Sequence, residues 1–209
     1  MAVPHAGGKE PLRVFKSDFL EFFTSVHPVT VLVVWVPILV AFLALALLRP
    51  GAEQARVPLL VGAGLALWTL LEYTLHRFVF HFPARSPAGK RIVFIFHGVH
   101  HAQPLIKTRL VMPPPVSLGL GVLVYGALSL IVGLLLGRPG SVPALFAGVA
   151  LGYLWYDMTH YATHHFRLRS RAFQFLRRYH LHHHGQTPKA RFGVSSPLWD
   201  IVFGTKPGA

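Results

Sequence analysis

The apolar residues of this chain gather into four runs, not at the spacing of an amphipathic helix or strand. Thr30–Leu48 holds 19 residues without a charge, about 28 Å as a helix and close to the ~30 Å hydrocarbon core of a bilayer. Val57–Leu75 is interrupted only by Glu72, and Val116–Leu136 carries no charge. Val142–Tyr156 is shorter and runs on into Asp157–Tyr161. Pro37 lies inside the first run, where a membrane helix tolerates it if neighbours satisfy the freed carbonyl. The pattern predicts an all-α integral membrane fold with helices at about 30–48, 57–75, 116–136 and 142–156, in a single domain over 1–209. Arg49–Arg56 and Gly137–Ser141 are short turns, so the helices pair as two hairpins. The long polar segments 76–115 and 157–209 then share the side of the N-terminus.

Charge assigns that side. Of 20 Lys and Arg residues, 17 lie in the N-terminal and the two long polar segments, and only Arg49, Arg56 and Arg138 in the short turns. The positive-inside rule places both termini and the polar segments in the cytoplasm. A net charge of +13 alone would suit nucleic acid. With 53% hydrophobic and 13% charged residues, against about 25% charged in soluble domains, the partner is instead a lipid surface. Alternation of apolar runs with basic segments also argues against a soluble helical protein, and no signal-peptide pattern precedes the first run. There is no cysteine, so any metal must be held by nitrogen or oxygen.

Histidine changes the picture most. Fourteen are present, mostly in four clusters: His76-x4-His81, His97-x2-His100-His101, His160-x3-His164-His165 and His180-x2-His183-His184. Residues three or four apart share a helical face, so each of the last three clusters can converge. His76 and His81 would stand about 140° apart on an ideal helix, and are expected to straddle a helix end. Uncoordinated imidazoles so crowded would repel on protonation or bury unsatisfied nitrogens, and a metal resolves both. Ten spaced histidines (His76, His81, His97, His100, His101, His160, His164, His180, His183 and His184) exceed the needs of one ion. Two metals with about five each would leave an open position on each, and the element stays open among Fe, Zn, Cu and Ni. Glu72, four residues before His76, and Asp157, three before His160, are expected to accept the other ring N–H of a ligand, with Asp200 a weaker candidate. His165 and His182 adjoin ligands but face away, so they are expected behind the ligands or toward substrate. His5 and His27 are isolated and expected to be unliganded. Val31–Leu47 is apolar all round and reads as a lipid-exposed span. Arg167–Arg178, with Phe166, Phe173 and Phe175 interleaved, reads as a headgroup-level patch.

The order HX4H, HX2HH, HX3H, HX2HH resembles the fatty acid hydroxylase superfamily, which includes sterol desaturases and carotenoid hydroxylases. Longer stretches resemble its fatty acid 2-hydroxylases, which act on sphingolipids. They are Glu72-Tyr73-Thr74-Leu75-His76-Arg77-Phe78, Phe96-His97-Gly98-Val99-His100-His101, Arg109-Leu110-Val111-Met112-Pro113-Pro114, Tyr156-Asp157-Met158-Thr159-His160-Tyr161, Tyr179-His180-Leu181, and Gly193-Val194-Ser195-Ser196-Pro197-Leu198-Trp199-Asp200 with Phe203-Gly204-Thr205. The likeness covers roughly residues 20–206.

The resemblance implies four membrane helices under a cytosolic helical cap that holds a dimetal site. It further implies O2-dependent hydroxylation at C2 of an acyl chain, free or in a ceramide, with iron as the working metal and zinc possible in isolated protein. It places His76, His81, His97, His101 and His183 on one metal and the other five on the second. Many eukaryotic members carry an N-terminal cytochrome b5 domain. About 29 residues precede the first run here, too few for one, so a separate cytochrome b5-like or ferredoxin-like donor is expected. In such chemistry the metals react and the protein positions the chain. Lys107 and Arg109 are candidates to meet a substrate carboxylate or headgroup, or to snorkel to phospholipid. A desaturase or a carotenoid or sterol hydroxylase is the nearest rival. A metal transporter would place its ligands within the spans near the bilayer midplane, whereas here only His76 and His160 touch span ends. A structural zinc site would not need ten ligands. Acyl length, headgroup, stereochemistry and oligomeric state are not encoded in these patterns.

Overall fold

The computed structural model describes residues 10–207, all helix and connecting segments; His5 lies outside the described residues. Contacts divide the chain into two compact units. The first comprises residues 29–69 and 112–155. It contains most of α2 (Pro28–Leu48) and the first part of α3 (Val57–Thr74). It also contains α6 (Pro114–Leu128), the π-helical Ser129–Leu135 that prolongs it, and the first part of α7 (Val142–His165). Pro37 stays inside α2 without ending it, and Pro114 opens α6, where its missing N–H would be unpaired in any case.

This unit is turned inside out relative to a soluble core. Val33, Val40, Leu48, Leu59, Val122, Leu123, Leu134 and Leu135 are exposed, as suits an apolar solvent. Among the described residues, three helical stretches are long and apolar enough to cross a membrane: Pro28–Leu48, Gln54–Phe80 and Lys107–Leu135. The fourth apolar run forms the start of the 24-residue α7. That helix is long enough, but its last nine residues carry Asp157, Thr159, His160, Thr163 and His164. Lipid supplies no hydrophobic drive between helices, so close backbone approach and interhelical hydrogen bonds hold them. A Cβ on Gly148 would run into the Val61 carbonyl, and one on Gly64 into the Leu145 carbonyl. Nearby, Tyr153 packs on Trp35 and Trp68 with centroids 4.8 and 5.4 Å away. Trp35 Nε1 donates to Ser117 Oγ at 3.0 Å.

The second unit contains residues 70–111 and 156–207 with the N-terminal segment up to Pro28. Its short helices start at side-chain caps. Ser17 caps α1 (Asp18–Phe22), Ser86 caps α4 (Pro87–Val93) and Ser170 caps α8 (Arg171–Gly185), each hydroxyl accepting an N–H of the first turn. The π-helical Phe94–Gly98 leads from α4 into α5 (Val99–Ala102), and α9 (Leu198–Val202) lies near the C-terminal end. The candidate chemistry lies wholly in this unit.

Candidate metal centre

The ten spaced histidines come together in two groups. His76, His81, His97, His101 and His183 each present one nitrogen within 4.8 Å of the others, and so do His100, His160, His164, His180 and His184. Membership matches the division that the resemblance implied. Spacing alone suggested otherwise, with each HX2HH cluster converging on one face. The i, i+4 pairs do stay together: His97 with His101, His160 with His164, and His180 with His184. The third member of each HX2HH cluster crosses over, so α5 and α8 serve both groups. His76 and His81 meet through a π-turn. Residues Leu75–Phe80 are π-helical, and the His81 N–H donates to the His76 carbonyl at 3.1 Å, an i→i+5 bond. The wider turn brings both rings to one side, and π-turns of this kind are frequent at functional sites.

The ring nitrogens face one another at hydrogen-bond distance. In the first group His76 Nε2 lies 3.1 Å from His97 Nε2, His101 Nε2 2.9 Å from His97 Nε2, and His183 Nε2 3.0 Å from His81 Nε2. In the second, His100 Nε2 lies 2.9 Å from the Nε2 of both His160 and His184, and His180 Nε2 lies 2.9 Å from His164 Nε2. Burial, reinforced by neighbouring imidazoles, depresses these rings. His81 and His160 are lowered to about 3, and His101 and His164 to about 2. His97, His100, His180 and His184 move the same way. The rings are therefore neutral at physiological pH, the form that ligates metals.

Two backbone carbonyls fix the tautomer in the first group. His76 Nδ1 lies 2.5 Å from the Phe192 carbonyl, and His183 Nδ1 lies 2.7 Å from that of Ala190. A carbonyl only accepts, so Nδ1 carries the proton and the Nε2 lone pair points into the group. Converging lone pairs on buried neutral rings need a cation between them, and an all-imidazole donor set fits a first-row metal ion.

The carboxylates act one step further out than expected. Glu72 does not touch His76. It accepts N–H bonds from Val194 (2.7 Å) and Ser195 (2.8 Å) and the Ser195 hydroxyl. Asp200 accepts from the N–H groups of Phe192 (2.9 Å) and Gly193 (2.7 Å) and from the Thr205 hydroxyl. Both therefore hold the 190–195 loop that offers its carbonyls to His76 and His183. Asp157 is buried beside His160 on α7, and His160 Nδ1 finds no hydrogen-bond partner among the described residues, so this carboxylate does not accept the ring N–H of His160. Phe192 and Ala190 were not anticipated, because a carbonyl leaves no mark on residue identity.

Arg109 corrects a further expectation. Its side chain is 1% exposed. It donates to the carbonyls of Thr24 (3.0 Å) and Leu12 (2.5 Å), to the Thr24 hydroxyl, and to Glu21 Oε1 (2.5 Å). A buried guanidinium must be paired, and this one ties the N-terminal segment down and is not free for substrate. Lys107 is exposed, His182 is exposed on the outside of α8, and His27 is exposed and belongs to neither group. His165 is half-buried with its ring 4.7 Å from Tyr161, and burial, then the charge of Lys107, lower its pKa.

Comparison with known proteins points the same way as this geometry. Residues 61–205 match the model of the family described as fatty acid hydroxylase. The dihydroceramide fatty acyl 2-hydroxylase FAH2 of Arabidopsis thaliana is 38% identical over 196 residues, covering 94% of this chain and 80% of the relative. Human fatty acid 2-hydroxylase is 35% identical over 96% of this chain and 58% of its own length. A solved structure of full-length scs7p, in which only the hydroxylase domain is visible, superposes with a TM-score of 0.83 at 38% identity, over 91% of this chain and 70% of that one. The chain belongs to the fatty acid hydroxylase family.

Proposed function

We propose that this protein hydroxylates C2 of a fatty acyl chain, free or within a ceramide, using O2 and two iron ions. As a family member it is a hydroxylating oxidoreductase with a metal-dependent site. The acyl C2 assignment is supported by relatives named as dihydroceramide fatty acyl 2-hydroxylases and fatty acid 2-hydroxylases. The observation that carries the reading is the pair of five-imidazole groups with their Nε2 atoms turned inward.

Each group would hold one ion. When bound, paired irons would supply the redox chemistry by which one atom of O2 enters a C–H bond and the other leaves as water, with two electrons from a separate cytochrome b5-like or ferredoxin-like carrier and two protons from solvent. The chain's own residues orient and shield. The carbonyls of Phe192 and Ala190 keep the His76 and His183 protons on Nδ1. Phe80 stacks on His97 at 5.3 Å, and Phe192 lies 5.5 to 5.8 Å from His76, His81 and His183, which shields one side of the first group. Tyr156 does the same for His160 at 5.9 Å. In this reading residues 1–209 form one membrane domain with four spans in two hairpins, the fourth being the apolar start of α7. The termini and both histidine groups face the cytoplasm under a helical cap. The placement of 17 of 20 basic residues supports that orientation.

Mass spectrometry of lipids from cells expressing the chain under ¹⁸O2 tests the proposal. Labelled 2-hydroxy acyl species are expected with the native sequence and none with His97→Ala. An unchanged lipid profile with altered cellular zinc or iron would overturn it in favour of metal transport.

A further inference from the structure

We infer that the two metal positions are held unequally, the group of His76, His81, His97, His101 and His183 being the tight site and the other the one that releases its ion first. The inference rests on the reading of the two histidine groups as metal sites. Its origin is an asymmetry in what stands behind the rings. In the first group, His76 and His183 each donate Nδ1–H to a backbone carbonyl. In the second, the buried Nδ1 atoms of His100, His160, His180 and His184 find no hydrogen-bond partner among the described residues. A ligand whose far nitrogen donates to an acceptor is fixed in tautomer and orientation and is a stronger base, and losing such a partner typically lowers metal affinity about 10- to 100-fold.

The acceptors are themselves held firmly. Ala190 and Phe192 flank Arg191, a non-glycine residue in the left-handed region (φ 60°), a conformation that crowds its Cβ against the following carbonyl. That conformation is kept by the Arg191 N–H donating to the Thr205 carbonyl at 3.1 Å. Asp200 and Glu72, both buried, receive the next four backbone N–H groups of the loop. The loop is therefore a preformed clamp for one group only. Asp200 and Glu72 are positioning residues that act through it.

Equilibrium competition with Zn²⁺ as probe tests this. The full chain in detergent is loaded with zinc and dialysed against chelators of graded strength, and zinc per chain is read by atomic emission. The expected curve descends in two steps separated by at least about tenfold in chelator strength, with a plateau at one zinc. His184→Ala should keep the plateau ion and His183→Ala should lose it. If either histidine variant fails to fold, Asp200→Asn supplies the assignment: only the second, tighter step should move to weaker chelators. A single two-to-zero step, the reverse assignment, or an Asp200→Asn shift of both steps or of neither overturns the inequality while leaving two metal sites standing. Failure of the native chain to take up zinc at all overturns the reading of the histidine groups as metal sites, and this inference with it.

Discussion

Residues 29–69 and 112–155 on one hand, and residues 70–111 and 156–207 on the other, are held by opposite means. The first set exposes its leucines and valines, and its helices meet where glycine lets backbones touch, as at Gly64 and Gly148. The second set buries Glu72, Asp157, Asp200, Arg109 and most of the clustered histidines. Its integrity depends on every acceptor finding its donor. The lesson is that the same chain fails differently in its two parts. Added volume breaks the first, and a lost or gained proton breaks the second.

Acid should separate the two most sharply. In the metal-free protein, His160 and His81 sit near 3 and His101 and His164 near 2, against about 6.5 in the unfolded chain. Because the folded values lie lower, the unfolded chain binds more protons between them, and stability falls as pH drops below about 6.5. The fully buried His160 contributes at most about 1.4 kcal/mol per pH unit in that window. Opening equilibria from hydrogen exchange, taken relative to the intrinsic exchange rate at each pH, should rise from pH 7 to 5 in segments 70–111 and 156–207 and stay level in 29–69 and 112–155. Equal loosening of both would refute the contrast. In the loaded protein the same acidification should release metal, since protons and metal compete for the rings.

Glu72→Gln comes next. The amide keeps the shape but weakens the charge-assisted bonds to Val194, Ser195 and the Ser195 hydroxyl. The loop behind His76 should loosen, and zinc affinity at that group should drop roughly tenfold, with helix content unchanged by circular dichroism. Gly148→Ala should do the converse. Its Cβ would meet Val61 and Gly64, costing about 1–3 kcal/mol by overpacking. The unfolding temperature in detergent should fall while activity per folded molecule holds.

The contrast also explains what the sequence revealed. Long apolar runs, free of charge but for Glu72 near the end of α3, mark α2, α3 and α6 because lipid exposure needs apolarity on every face. The ten histidines stood out because imidazoles at i, i+4 are a side-chain signal that α5, α7 and α8 keep. Three features left no such signal. A π-turn at Leu75–Phe80 is written in backbone bonds, so His76 and His81 looked mismatched. The split of each HX2HH cluster depends on two groups sharing α5 and α8, which spacing cannot show. Glu72 and Asp200 were noticed as carboxylates out of place, yet their partners are backbone N–H groups of a loop up to 123 residues away. Arg109 was misplaced for the same reason, its partner Glu21 lying 88 residues upstream.

The smallest expected effect probes the apolar unit by a polar change. Trp35→Phe removes the Nε1 donor to Ser117 while keeping an aromatic ring near Tyr153. Interhelical hydrogen bonds in membrane proteins average only about 0.6 kcal/mol, because the separated helices find other partners. Ser117 retains a second contact, its hydroxyl donating to the Pro114 carbonyl at 3.3 Å, so no buried hydroxyl is stranded. Thermal unfolding in detergent should therefore shift by a degree or two at most, about the size of a 0.6 kcal/mol change in a chain of this length. A loss several times larger would mean that these helices, like the histidine-bearing residues, depend on a polar network, and the division drawn between the two would no longer hold.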